Sequence, residues 1–473
     1  MRKEWSRRLA AGLAACMLLL GSGCARDEST RAESGGSTAG TAGMTSSTAV
    51  PAATTGTTGQ STVADTGTTT AAAATTTVAA TTAGPADDRE AVRQQLTSGR
   101  IAAIYKTTYT SLFSRLNADG YFQESVTGRY KGEYVRSIGA LVKLALEAGD
   151  VEAAQRALRF VTDTMTAHAL EYFPFTISAD KKTVRREDEL DGRAHFVLGW
   201  ALTALAAGPS AYEDETYEMV VREMDAFFSE AYRCSDADSP AFGLLFNDRF
   251  THTRMKNGED YWHCWDTLTN HFAAAAAENL IAVARRRGDT ARADRWQGYL
   301  DDLAAGIRRG LTRTVDGKTV YLELLNKGTN GPEAETGMSW VCLSPVAAEW
   351  SGLDLTILAN TADYMYRTLW KEAAGGGYLA CEGNAAGKVN KDWILGKSVG
   401  WDIEAARLRG DWGHIRAWFG FLEANHTGDL FMEKMKKSGS KWKVEDAGNG
   451  EQCIWFVWAL ARLRKELGLP VAP

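Results

Sequence analysis

The sequence predicts an all-α fold, a closed (α/α)6 toroid of six helical hairpins over residues 86–473, preceded by an export segment and a flexible tether. Three observations predict it. Apolar residues recur at helical spacing through the last 388 residues, and few segments alternate as strands do. A glycine-centred hinge of one kind returns between these runs. The connections at the other end of each run are all long.

The chain begins with Arg2, Lys3, Arg7 and Arg8, followed by an apolar stretch of 12 residues, 9–20. A membrane-spanning helix needs about 20 residues, so residues 1–24 read as an export signal. The segment ends Leu20-Gly21-Ser22-Gly23-Cys24. That resembles a bacterial lipobox, with Gly21 where leucine is usual, and Cys24 is expected to carry the lipid. Residues 25–85 are almost entirely Thr, Ala, Gly and Ser. They hold too little apolar bulk to offset the entropy of ordering, and read as a disordered linker. The expected location is the bacterial cell surface or the periplasmic face of a membrane, with the domain lipid-anchored.

The hinges are Gly149-Asp150, Gly208-Pro209, Gly288-Asp289, Gly352-Leu353-Asp354, Gly410-Asp411 and a final Gly468, spaced by 59, 80, 64, 58 and 58 residues. Glycine followed by aspartate fits a helix C-cap met at once by the N-cap of the next helix. Before the hinges stand helical runs at 134–148, 195–207, 271–286, 340–350, 399–408 and 454–467. Their partners are 90–117, 151–168, 210–231, 290–310, 355–373 and 411–425. The long connections are 118–133, 169–189, 232–265, 311–337, 374–396 and 426–449. If the hairpins close into a ring, these connections share one face, at the starts of the more apolar inner helices, and long loops tend to carry function.

Net charge is −6, which argues against a broad basic surface for nucleic acid. Seven cysteines do not make a disulfide scaffold in this length. Cys234, Cys264, Cys342, Cys381 and Cys453 form no C-x-x-C pair, and adjacent His263-Cys264 is not a chelating spacing. No metal or cofactor is expected. Gly375-Gly376-Gly377-Tyr378 lacks the Lys-Ser/Thr of a phosphate loop. A monomer is expected.

The long-loop face collects acids and tryptophans. In order it holds Arg136; Asp191 and Arg193; Tyr261, Trp262, Trp265 and Asp266; Trp340; Trp393, Lys397 and Trp401; then Glu433, Glu445, Glu451 and Gln452. Aromatic faces stack on sugar rings, and carboxylates bind hydroxyls and move protons. The combination points to a carbohydrate site.

These segments resemble the six-hairpin glycosidases. Cys264-Trp265-Asp266 through Asn270-His271-Phe272, an Ala-rich helix and Arg287-Gly288-Asp289 is similar to the acid-bearing segment of family 15 glucoamylases, which have Trp-Glu there. Trehalases and family 63 enzymes have Asp in the related place. Tyr134-Val135-Arg136, Leu190-Asp191-Gly192 and Phe431-Met432-Glu433-Lys434 followed by Glu451-Gln452 are similar in order and placement. The resemblance covers about residues 130–465. The chain departs from it at Ser137, where the family has the Asp that grips the terminal sugar. The third segment is also about one residue shorter.

The resemblance implies an inverting glycoside hydrolase, with an acid to protonate the departing oxygen and a base to activate water. Asp266 is the expected acid, although as the residue before a helix it also reads as an N-cap. Glu433 is the expected base, with Glu445 and Glu451 as rivals. Arg136, Asp191, Arg193 and Gln452 are candidates for sugar hydroxyls, and Trp265, Trp340 and Trp401 for stacking. Other classes remain open at this point. They are a non-catalytic glycan-binding lipoprotein on a degenerate scaffold, or another sugar enzyme on the ring, such as an unsaturated glucuronyl hydrolase, a lyase or an epimerase.

Overall fold

The computed structural model describes residues 85–186, 189–248, 263–326, 332–334, 339–383 and 389–473. The export segment, Cys24 and nearly all of the linker lie outside them. Residues 79–473 make one unit. It begins with α1 (Pro85–Thr97) and α2 (Arg100–Arg115). The apolar pattern runs through 90–117, but the chain breaks at Gly99, whose φ of 90° no helix accommodates.

Paired helices follow: α3 (Val135–Glu147) with α4 (Val151–Ala167), α5 (Leu190–Ala207) with α6 (Ala211–Phe227), and α7 (Thr267–Arg287) with α8 (Thr290–Gly310). Next come α9 (Ser339–Leu343) and α10 (Pro345–Ala348) with α11 (Leu355–Leu369), then α12 (Gly396–Arg409) with α13 (Trp412–Asn425). The last helix, α14 (Gly450–Glu466), packs on α2. Helix α3 packs on α5, α5 on α7, α7 on α9 and α10, these on α12, α12 on α14, and α14 back on α3. The ring closes, which makes the architecture the (α/α)6 toroid. The fourth inner helix is broken at Ser344, because Pro345 has no backbone N–H to continue it.

The hinges act as their residues suggest. Gly149, Gly208, Gly288, Gly410 and Gly468 all have positive φ. Asp150, Asp289, Asp354 and Asp411 accept backbone N–H bonds from Ala153, Arg292, Thr356 and His414. Gly352 differs. Glu349, with φ 56°, takes the left-handed position there, and Gly352 is needed because a Cβ would strike the Trp350 ring.

Two other glycines let inner helices approach closely. A Cβ on Gly139 of α3 would collide with the backbone carbonyl of His195 on α5, and one on Gly400 of α12 with that of Trp455 on α14. Backbone cannot swing aside as a side chain can. Gly139→Ala is therefore expected to destabilise the domain by about 1–3 kcal/mol, read as a lower urea midpoint. An unchanged midpoint would contradict the close crossing.

The long connections carry short strands that an all-α reading does not anticipate. The second connection returns as β2 (Thr176–Ile177) and β3 (Val184–Arg185) beside β1 (Glu133–Tyr134). A four-stranded sheet joins β4 (Asn247–Asp248) and β5 (His263–Asp266) to strands of the next connection. That connection holds the hairpin β6 (Thr312–Val315) and β7 (Lys318–Tyr321), then β8 (Leu324–Asn326) and β9 (Pro332–Ala334), in the order β4-β5-β8-β9. The fifth holds β10 (Trp370–Ala373), β11 (Gly376–Leu379), β12 (Glu382–Gly383), β13 (Val389–Lys391) and β14 (Trp393–Leu395). The sixth is the antiparallel hairpin β15 (Met432–Ser438) and β16 (Lys441–Ala447), which adds to β14. No helix among the described residues is long and apolar enough to cross a membrane.

Candidate active site

A cavity of about 150 Å³ opens on the long-loop face, between the first and sixth connections and the starts of α3, α12 and α14. Its walls include Glu124, Tyr130, Arg136, Ser137, Trp340, Lys397, Glu433, Glu451 and Gln452. Arg136, Trp340, Glu433, Glu451 and Gln452, separated by up to 316 positions in the chain, are thus brought together by ring closure.

Glu433 sits on β15. The ladder to β16 skips it and Asp446, and Asp446 turns to φ 47°. The Tyr130 hydroxyl donates to Glu433 Oε1 at 2.8 Å, and Arg129 lies 3.1 Å from Oε2. The carboxylate is therefore oriented from the opposite loop. Glu445 faces away on β16, with Lys434 and Lys436 at 3.6 and 3.5 Å, and is not among the cavity residues. Glu451 is on the wall, but Arg136 holds it at 3.1 Å and Lys397 at 2.9 Å. Burial would raise its pKa, yet these two cations outweigh burial and hold it at about 2. Such a weak base suits an ion-pair anchor better than water activation.

Arg136 is tied down further by Glu189 at 2.9 Å and Asp191 at 3.2 Å. Asp191 is fully buried at the start of α5 and supports Arg136 from below. Gln452 Oε1 accepts the Lys397 backbone N–H at 2.7 Å, which fixes the first turn of α12 against α14. The Lys397 ammonium lies 4.2 Å from the Trp340 ring centre.

Besides Asp191, which is not among the cavity residues, three expected sugar contacts fall elsewhere. Trp401 is fully buried, with its ring 6.3 Å from Trp340 and 5.6 Å from Trp455. An inner-helix residue one turn below the rim points into the core, so Trp340 and not Trp401 borders the cavity. Arg193 is buried and bonds Glu223 and the Tyr232 hydroxyl, because α5 turns it toward its outer partner α6. Trp265 packs edge-on to Phe246 at 5.4 Å and is not among the cavity residues.

Asp266 ends β5 and caps α7. Its Oδ1 accepts the Thr269 backbone N–H at 2.6 Å. Its Oδ2 accepts the Thr269 hydroxyl at 2.7 Å and the Asn247 amide at 3.1 Å. Burial raises its pKa to about 6, against the opposing Thr269 N–H, with the Asp191 charge adding to the rise. In the ring order, α7 stands opposite α14. Asp266 is not among the cavity residues, because both its oxygens fold back onto Thr269 in the first turn of α7. Tyr261 and Trp262, expected beside Asp266, lie outside the described residues.

The sequence reading missed Glu124 and Tyr130. Neither belongs to a motif, and both reach the site through loop folding alone. Among the described residues, no three of His, Cys, Asp and Glu are grouped to hold a metal ion.

No protein-family model matches the chain, and no curated protein sequence matches it. Solved structures do. A wild-type glycosidase is 13% identical with a TM-score of 0.54, covering 81% of this chain and 99% of its own. A metal-independent α-mannosidase from Streptococcus pneumoniae, in a non-productive complex with α-1,6-mannobiose, is 14% identical with a TM-score of 0.55, covering 80% and 97%. A bacterial glucoamylase complexed with acarbose is 14% identical with a TM-score of 0.54, covering 78% of this chain and 57% of its own. The chain shares its fold with these glycosidase, mannosidase and glucoamylase structures.

Proposed function

We propose that this protein is an inverting glycoside hydrolase, with Glu433 as base and Asp266 as acid. The observation that carries the reading is the oriented Glu433 carboxylate on the cavity wall, held by Tyr130 and Arg129, with a buried, proton-retaining aspartate across the ring. An inverting enzyme needs its two carboxyl groups on opposite faces of the sugar, about 6.5–9.5 Å apart so that water fits between. What supports this reading is the ring order, with Asp266 at the cap of α7 and Glu433 in the connection before α14, the helix opposite. The carbohydrate ligands named for the similar structures, acarbose and mannobiose, agree with this class of substrate. Cys24 and the linker belong to the same proposal, as a lipid anchor and tether on an exported enzyme.

The acid must be protonated to act, so activity is lost as pH rises past its pKa. A screen of aryl glycosides and oligosaccharides should find a substrate whose kcat/KM falls above about pH 6, where Asp266 ionises. A profile that stays level from pH 5 to 8 would remove Asp266 from that role.

A further inference from the structure

One carboxyl group on the cavity wall has no part in the proposed acid–base pair. Glu124, in the first long connection, is 4% exposed. Its backbone carbonyl accepts the Gly450 N–H at 2.6 Å, and its Oε1 accepts the Glu451 N–H at 3.0 Å. The side chain is therefore pinned against the first turn of α14. Its Oε2 is buried and makes no hydrogen bond within the protein. The neighbouring Ser137 hydroxyl favours the ionised carboxyl, against burial. A Cβ on Gly450 would lie 2.6 Å from Oε2, so the space for this carboxyl depends on a glycine at the start of the helix.

A buried polar atom without a partner costs about 1–3 kcal/mol, and one on a cavity wall recovers that cost when a ligand hydroxyl meets it. We propose that Glu124 and Ser137, braced by the first turn of α14, form a hydroxyl-binding subsite that grips a neutral pyranose through Glu124 Oε2. The surrounding charges select for neutrality. The cations among the described cavity residues are Arg136 and Lys397. Arg136 is paired with Glu189, Asp191 and Glu451, and Lys397 with Glu451. A uronate would set its carboxylate beside Glu433 and Glu451 with those cations already engaged. Burial, more than the Glu451 charge beside it, raises the Glu124 pKa to about 7. At mildly acidic pH the group is then a neutral acid that both donates to and accepts from a hydroxyl.

This inference rests on the sugar-site reading above, but its test needs no turnover. Calorimetry at pH 6 on the full domain would use D-glucose, D-mannose and L-rhamnose, each singly, against D-glucuronate and D-galacturonate. At least one neutral sugar should bind, and both uronates at least tenfold more weakly. Glu124→Ala should weaken the bound neutral sugar at least tenfold. Glu124→Gln, which keeps both hydrogen-bonding capacities, should recover most of that loss, which separates the role from a purely structural one. Wild-type affinity in Glu124→Ala overturns the subsite, as does tighter binding of a uronate or no binding by any neutral sugar. If sugars bind as expected and nothing is hydrolysed, the hydrolase reading fails while the subsite stands.

Discussion

Glu433→Gln is expected to lower kcat by about 10²–10⁴-fold, the usual contribution of a positioned general base. KM should stay within a few fold. The amide still accepts the Tyr130 hydroxyl, now 2.8 Å from Oε1, so the loop geometry survives. Only the charge that polarises water is removed. Folding should be nearly untouched, because of the two cations left behind Arg129 has 46% of its side chain exposed and turns to solvent, and Lys434 keeps Glu445 at 3.6 Å. A matched loss in Glu451→Gln would mean something different. Glu451 anchors Arg136 and Lys397, and removing that charge strands the buried Lys397 and leaves Arg136 to Glu189 and Asp191, so thermal stability should fall together with activity. The two glutamates are thus separable by comparing melting temperature with kcat.

Asp266→Asn is expected to abolish turnover and raise stability at the same time. The sign follows from the raised pKa. An ordinary aspartate near 3.8 moves to about 6 in the fold. Its contribution to stability is fully present below the unfolded value and is lost as pH rises through the folded one. Above pH 6 the native state therefore carries a cost of about 2–3 kcal/mol, which a group that cannot ionise does not pay. The cap survives, because asparagine caps helices as well as aspartate. The Asn247 amide, whose Oδ1 has no partner, can turn to accept from the new amide. The variant should show a higher urea midpoint than wild type at pH 7.5 and the same midpoint at pH 3.5. A lower midpoint at both values would show that the cap network, not the charge, governs this position.

The two variants rest on different kinds of legibility. The ring was readable because its signals are local. Ala- and Leu-rich runs have a helical period, and each Gly-Asp hinge carries both a positive φ and a capping side chain within a few residues. Where one local signal had two physical causes, the reading went astray. Gly352 looks like the other hinges, but it makes room for Trp350 while Glu349 takes the left-handed turn. Trp401 and Trp340 look alike on inner helices, yet depth along the helix decides which meets the cavity. Arg193 looks like a sugar ligand until Glu223, on the outer helix, meets it.

Glu124 and Tyr130 carried no sequence signal. Their placement depends on a loop folding against the start of α14, more than 300 residues later. The strands of the long connections were hidden for the same reason. β14 pairs with β15 across about 40 positions of chain, and no short-range alternation announces such pairing. What the loops contribute is a cavity whose wall includes a buried carboxyl oxygen, Glu124 Oε2, without a hydrogen bond in the protein.

The most direct test of the account is the anomer first released by the wild-type protein. Proton NMR would follow hydrolysis of an active aryl glycoside from the first minutes, before mutarotation mixes the products. Carboxyl groups on opposite faces of the sugar predict that the initial hemiacetal has the configuration opposite to the substrate. Release of the retained anomer would contradict the assignment of Glu433 as a base acting through water.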